Sequence, residues 1–183
     1  MNAALRTTLA VAVLALALPA AAALKPGERA PDFRAQAYLA GKPFTFDLAK
    51  ARRSGPVVVY FFPAAHTPGC NLEAHLFSEA IDDFRKAGAT VVGLSAGNTE
   101  TLADFSKETE HCGGRFPVAA DPGAKIAKSY DALLDGRADR SDRTSYVVTK
   151  DGRIAAVHSD LNPSLHVKSM LDAVKALGLR PAK

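Results

Sequence analysis

The chain has 183 residues, 23 Lys and Arg against 19 Asp and Glu for a net charge of +4, and a hydrophobic fraction of 48%. That length suits one domain with a sizeable core and excludes a large multidomain enzyme. So small a charge, scattered in sign, argues against a nucleic-acid partner. The 2 cysteines exclude a disulfide-dense mini-protein and a four-cysteine zinc site.

The apolar content is uneven. Eighteen of the first 23 residues are apolar, and Arg6 is the only charged side chain before Lys25. The unbroken run from Leu9 to Leu18 is too short for a membrane span, which needs about 20 residues. A basic start, an apolar stretch and the small residues Ala21-Ala22-Ala23 predict a secretory signal peptide over residues 1–23, cleaved before Leu24. One domain over residues 24–183 would remain, exported and periplasmic, without stable membrane association. Loss of Arg6 takes its charge from +4 to +3. Export places both cysteines in an oxidising compartment.

Ala35 to Leu39 and Pro43 to Leu48 alternate around Ala40-Gly41-Lys42, which predicts a short hairpin. Val57 to Phe62 is a continuous β-branched and aromatic run, the pattern of a central strand buried on both faces. Leu72, Leu76, Ala80 and Phe84 then recur as a helix stripe, with Gly88 at the C-cap. Thr90 to Leu94 is a second buried strand. Leu102, Phe105 and Cys112 are expected on one face of a helix ended by Gly113-Gly114. Phe116 to Ala120 predicts a strand and Ala124 to Tyr130 a short helix. Ser145 to Thr149 and Arg153 to Val157 flank Asp151-Gly152 as a hairpin. Ser164 to Leu177 closes the chain as a helix with Leu165, Met170, Leu171 and Val174 on or near its buried side, stopped by Gly178. The order β-α-β-α-β-α-β-β-α implies an α/β fold, a mixed sheet with helices on both faces.

The most informative stretch runs from Phe62 to Cys70, between the buried strand and the first long helix. Sites in open α/β sheets gather there, beyond the carboxyl ends of the strands. Thr67 can serve as N-cap and Pro68 can occupy the first helical position, where its missing N–H costs nothing. Cys70 then lies in the first turn. Unpaired backbone N–H groups and the positive end of the helix dipole both favour the thiolate there, the nucleophilic form. The bland alternative is an inert cysteine packed under the strand. Likewise, spacing alone makes Arg143 a solvated arginine of the charge-rich stretch from Arg137, and Glu73 a first-turn glutamate favoured by the dipole.

Pro63-x-x-x-Thr67-x-x-Cys70 resembles the active-site signature of the peroxiredoxins. The longer run from Tyr60-Phe61-Phe62-Pro63 to Thr67-Pro68-Gly69-Cys70, followed by Glu73-Ala74, is similar to the bacterioferritin-comigratory or Q-type branch. Ala30-Pro31-Asp32-Phe33, Phe116-Pro117, Asp121-Pro122-Gly123 and Arg143-Thr144 extend the resemblance over essentially all of residues 24–183. The resemblance implies a thioredoxin-like fold and a thiol peroxidase whose peroxidatic cysteine is Cys70. Thr67 would hydrogen-bond the peroxide, and Pro63 would shield the sulfenic acid from water. Arg143 would stabilise thiolate and peroxide, and Glu73 would orient Arg143. Hydrogen peroxide or an organic hydroperoxide is the implied substrate and a thioredoxin-like or other thiol the reductant. No metal or organic cofactor is needed, and the chain is expected to act as a monomer or weak homodimer.

In many Q-type members the resolving cysteine follows five residues after the first, but His75 stands there. Other members carry it in the next long helix, which points to Cys112, with Gly113-Gly114 allowing local unwinding. The alternative is that Cys112 only packs with Leu102 and Phe105, and that an external thiol reduces Cys70 directly. A disulfide reductase or copper chaperone is disfavoured, since no C-x-x-C or C-x-x-x-C exists. A metal module built on His66, Cys70 and His75 is disfavoured too, because residues 70 and 75 point apart on a helix. A non-enzymatic thioredoxin-fold binding or redox-sensing protein is the remaining alternative.

Overall fold

The structure, a computed structural model, describes residues 23–178; the expected signal peptide, apart from Ala23, lies outside them. The elements in chain order are β1 (Arg34–Leu39), β2 (Lys42–Asp47), α1 (Leu48–Ala51), β3 (Val57–Phe61), α2 (Pro68–Lys86), β4 (Thr90–Ser95) and α3 (Leu102–Lys107). They continue with β5 (Val118–Ala120), α4 (Lys125–Ser129), β6 (Leu133–Leu134), β7 (Arg137–Ser141), β8 (Thr144–Val148), β9 (Ile154–Ser159) and α5 (His166–Ala176).

Seven strands form one sheet in the order β2-β1-β5-β4-β3-β8-β9. The central strands β3, β4 and β5 run parallel, while β8, β9, β1 and β2 are antiparallel to their neighbours. All five residues of β3 are buried, as the run of β-branched and aromatic side chains demands. Successive side chains of β3 enter opposite cores. Val57, Val59 and Phe61 pack with α1, α4, Tyr130 and Tyr146; Val58 and Tyr60 pack with α2, α3 and α5. Helices thus cover both faces, and the expected mixed α/β architecture holds. Among the described residues no helix is long and apolar enough to cross a membrane.

Several local expectations need correction. In α2 the buried face is Cys70, Glu73, Ala74, Phe77, Ser78, Ile81 and Phe84, whereas Leu72 is 44% exposed. A strict four-residue spacing drifts by about 40° per step around a 3.6-residue helix, so the predicted stripe leaves the core; the alternating spacing of Cys70, Ala74, Phe77, Ile81 and Phe84 stays on it. The true face also holds Glu73 and Ser78, which a count of apolar residues passes over. In α5 the buried residues are His166, Met170 and Val174, while Leu165 lies before the helix and is exposed. Finally, α3 ends at Lys107, so Cys112 lies beyond it in a run of turns. The amides of His111 and Gly113 both donate to the Glu108 carbonyl there, and Gly114 donates to Ser106. Residues Arg137–Ser141, read as part of a charged loop, pair with Leu133–Leu134 as a two-stranded ribbon.

The rotated face of α2 is testable by urea unfolding. Phe77→Ala, which empties the space against Tyr60 and Phe84, is expected to cost about 3–5 kcal/mol. Leu72→Ala is expected to change stability by less than about 0.5 kcal/mol.

Candidate active site

The register of the sheet explains why residues far apart in sequence meet at Cys70. β3 and β8 are antiparallel, with Phe61 opposite Thr144. The end of β3, which leads into α2, therefore lies beside the start of β8, and Arg143 stands next to the helix N-terminus. Arg143 and Glu73 are both buried. The Arg143 Nη2 donates to Cys70 Sγ at 3.5 Å, Nη1 donates to Glu73 Oε2, and Nε donates to the Leu161 carbonyl at 2.8 Å. Glu73 follows Cys70 by one helical turn, so both groups on α2 face the same guanidinium. Gly69 is needed for that approach: a Cβ there would lie 3.0 Å from Arg143 Nη2.

Burial opposes both charges of the ion pair. It pushes the Glu73 carboxyl up to about 8, against the pull of Arg143. For Arg143 burial acts downward, but the charges of Glu73 and Cys70 and the hydrogen bonds to them outweigh it, and the guanidinium is raised. Buried cations of this kind persist only where each donor finds an acceptor, and here the donors reach a thiol, a carboxyl and a carbonyl.

Behind Glu73 lies His166, fully buried, with Nδ1 3.5 Å from Glu73 Oε1. Its Nε2 is 2.8 Å from the Asp160 carbonyl, which can only accept, so Nε2 carries the proton. Nδ1 then accepts from the Ser145 hydroxyl at 2.8 Å. Burial drives the His166 imidazole down to about 4, with the Asp160 carbonyl pulling the other way. It is neutral around Glu73 at ordinary pH.

The loop from Phe62 to Thr67 is held through its carbonyls. Ser141 Oγ donates to Phe62 at 2.7 Å, Thr67 Oγ1 to Ala64 at 3.0 Å and Asn98 Nδ2 to Ala65 at 2.8 Å, while Ser95 Oγ, which donates to Gly97 at 3.0 Å, stands 3.4 Å from the Pro63 carbonyl. Gly97 permits this closeness, since a Cβ there would lie 2.4 Å from the Pro63 oxygen. Thr67 is the N-cap residue of α2 and Pro68 follows at the first turn, as expected. The Thr67 hydroxyl accepts no capping bond from the first turn, however, and donates its proton back to the Ala64 carbonyl. The oxygen of half-buried Thr67 keeps its lone pairs as acceptors.

Cys70 and Cys112 are both free thiols, buried in the same apolar cluster. Burial pushes the Cys112 thiol far up, with Glu108 adding to it, so Cys112 is a neutral S–H in this conformation. Ser78 Oγ donates to its carbonyl at 3.1 Å. Of the residues expected from the sequence, the structure brings Cys70, Glu73 and Arg143 into contact, with Pro63 and Thr67 in the loop that leads into Cys70. The sequence reading misses His166, Ser145 and Tyr60, whose buried hydroxyl has no hydrogen-bond partner. His166 had a signal, a histidine at the start of an amphipathic helix; Ser145 and Tyr60 look like ordinary strand residues.

Comparison with known proteins gives one consistent answer. Residues 26–157 match the AhpC/TSA family. The chloroplastic peroxiredoxin Q of Sedum lineare is 33% identical over 138 residues, which cover 75% of this chain and 71% of that protein. The chloroplastic peroxiredoxin Q of Oryza sativa subsp. japonica is 30% identical over 152 residues, 82% of this chain and 67% of that protein. Among solved structures, the peroxidoxin BcpB from Mycobacterium tuberculosis superposes with a TM-score of 0.74 at 26% identity, covering 84% of this chain and 98% of that one. The reduced 2-Cys peroxiredoxin of Plasmodium vivax, at 22% identity and a TM-score of 0.73, shares the fold over 84% of this chain and 96% of its own.

His166 makes a pH prediction. Its folded pKa of about 4 lies below the ordinary 6.5, so the unfolded chain binds the extra proton between those values and stability falls as pH drops through that window. The unfolding free energy of the wild type, measured against His166→Gln, is expected to decline from about pH 6.5 to about pH 4 and to be level above it. A difference that stays constant through the window contradicts the assignment.

Proposed function

The chain belongs to the AhpC/TSA family, and on that premise we propose that Cys70 is the nucleophile and that Thr67, Pro63, Arg143 and Glu73 serve it. The protein is a peroxiredoxin, a thiol-dependent peroxidase that reduces peroxides with electrons from a thiol reductant. The non-enzymatic alternative is not favoured by these relatives. The observation that carries the reading of Cys70 is the buried guanidinium of Arg143, which donates to Sγ and is held in place by Glu73.

The Cys70 thiolate attacks the terminal oxygen of the peroxide. The O–O bond breaks, sulfur takes the OH as sulfenic acid, and the leaving oxygen departs with the bonding electrons and takes up a proton as water or alcohol. Negative charge moves from sulfur to the leaving oxygen along this path. Arg143 is already desolvated and fixed, so it follows that charge without reorganising solvent. Thr67 Oγ1, its own proton spent on Ala64, accepts from the peroxide O–H and turns the substrate toward sulfur. Pro63, half-buried at the loop, limits water at the nascent sulfenic acid.

Cys112 resolves the sulfenic acid: its thiol condenses with Cys70–SOH to a disulfide and releases water. Burial keeps Cys112 neutral and enclosed, so the turn from Glu108 to Gly114 must open first. A thioredoxin-like dithiol then takes the disulfide, restoring both thiols and becoming oxidised itself. The signal-like residues 1–23 support an exported, periplasmic enzyme whose working domain is residues 24–183.

Peroxide consumption with dithiothreitol tests the assignment. Cys70→Ser is expected to abolish turnover, and Arg143→Met to lower kcat/KM by about 10²-fold or more. Unchanged activity in Cys70→Ser removes the reading. After one equivalent of peroxide, wild type is expected to form an internal Cys70–Cys112 disulfide by non-reducing mass spectrometry, and Cys112→Ser to retain trappable sulfenic acid. Equal trapping in both rules out the resolving role.

A further inference from the structure

His66 stands in the active-site loop, and Glu108 and His111 stand in the turn that leads to Cys112. They are distant in sequence but meet in space. His66 Nε2 is 2.9 Å from Glu108 Oε2, and His111 Nε2 is 3.3 Å from the same oxygen. One ligand atom from each of the three lies within 4.8 Å of the others. A tetrahedral ion with bonds of about 2.0–2.2 Å sets its ligand atoms roughly 3.3–3.6 Å apart, so the trio is close to the size of such a shell.

The protons of His66 sharpen the point. Its Nδ1 is 3.2 Å from Thr101 Oγ1. The Thr101 hydroxyl donates its proton to the Asn98 carbonyl at 2.9 Å, so its oxygen accepts from His66 Nδ1–H. In a neutral imidazole Nε2 is then a bare lone pair, directed at a carboxylate oxygen 2.9 Å away. Two lone pairs do not hold that distance unaided; a cation must join them, either a second proton or a metal ion. The hydrogen bond at Nδ1 is the arrangement that orients metal-binding histidines. His111 is mostly buried, and its Nδ1 has no hydrogen-bond partner, so Glu108 is its polar anchor. Phe105 floors the cluster, with its ring 5.3 Å from His66 and 4.8 Å from His111. The backbone of His66 takes φ 60°, a left-handed conformation uncommon for a residue with a Cβ, and this turns the imidazole toward the α3 side.

We propose that His66, Glu108 and His111 bind one zinc-type divalent cation, which pins the active-site loop to the turn that carries Cys112. Two imidazoles and one carboxylate suit Zn²⁺ and leave a fourth position for water. The ion takes no part in peroxide reduction. Its consequence rests on the resolving role of Cys112: the turn must open for the disulfide to form, and an ion held by the neighbouring His111 opposes that opening. Bound zinc therefore prolongs the sulfenic acid at Cys70.

Calorimetric titration of Zn²⁺ into the double variant Cys70→Ser/Cys112→Ser tests the site without thiol ligands. One ion per chain is expected, weakened at least about tenfold by adding either His111→Asn or Glu108→Gln. Absence of saturable binding, or affinity untouched by both substitutions, overturns the site and leaves a protonated His66–Glu108 pair. Cobalt(II) gives a second readout on the wild-type chain, independent of whether those variants fold. Visible bands without sulfur-to-metal charge transfer are expected; a charge-transfer band places a cysteine on the ion and overturns the assignment. In wild type, Zn²⁺ is expected to slow Cys70–Cys112 disulfide formation severalfold after one equivalent of hydrogen peroxide, and EDTA to reverse it. Equal rates overturn the coupling. No disulfide under either condition removes the resolving role of Cys112, and with it the coupling, while the calorimetry still decides the site.

Discussion

Arg143 has almost no access to water, and its donors are divided among three acceptors: Nη1 to Glu73 on α2, Nη2 to the Cys70 sulfur on the same helix, and Nε to the Leu161 carbonyl after β9. A guanidinium stripped of water must find acceptors in fixed places, or burial costs several kcal/mol. That demand constrains the surroundings. It rests on the β3–β8 register that brings residue 143 to the start of α2, the room left by a glycine at 69 and a carboxyl group one turn beyond the thiol. It extends to His166, which burial keeps neutral beside Glu73 and which Ser145 and Asp160 hold in one tautomer. A protonated imidazole there would set a second cation against the Arg143–Glu73 pair.

The same molecule needs a rigid site and a yielding one. Three carbonyls, those of Phe62, Ala64 and Ala65, are tied to side chains from β7, the loop itself and the segment before α3. Such ties hold the reacting groups in place before the peroxide arrives. Cys112 faces the opposite requirement. It sits among Leu102, Phe105 and Phe116 in the core, yet the resolving role proposed for it needs it outside. Its segment is a series of turns with Gly113 and Gly114 at positive φ rather than a helix. Turns open locally at less cost than a packed helix. The end of α3 at Lys107 therefore suits a resolving residue better than the longer helix expected from the pattern.

The central strands, both hairpins and the loop with Pro63, Thr67 and Cys70 were legible because their signals are local: β-branched runs, Asp-Gly, and a Thr-Pro pair before a helix. Arg143 was legible only through resemblance; its own neighbourhood reads as a solvated charged stretch, and it is the pairing of β3 with β8 that buries it. The buried face of α2 departs from the four-residue stripe because that spacing drifts around the helix, and Glu73 and Ser78 hold core positions that an apolar count passes over. His166 and Ser145 went unnoticed because their roles exist only through contacts across the sheet. His66 was weighed with Cys70 and His75, its neighbours in sequence, but His75 lies along the helix within 3.5 Å of Glu79 instead. Its partners are Glu108 and His111, and no spacing announces them.

The position of that trio bears on how the two cysteines are kept apart until needed. In the proposed cycle Cys70 is reactive before peroxide arrives, while Cys112 stays protonated and enclosed and does not compete for oxidant. Burial achieves this for Cys112, and Glu108 reinforces it by raising the same thiol electrostatically. Glu108 is also the carboxylate on which His66 and His111 converge. One side chain thus couples the active-site loop, the turn and the protonation of the second thiol. A cation on Glu108 offsets its charge beside Cys112, which favours the thiolate, while tightening the turn that hides it. For a thiolate that cannot reach the sulfenic acid, the tightening governs the rate, because access precedes nucleophilicity in thiol exchange.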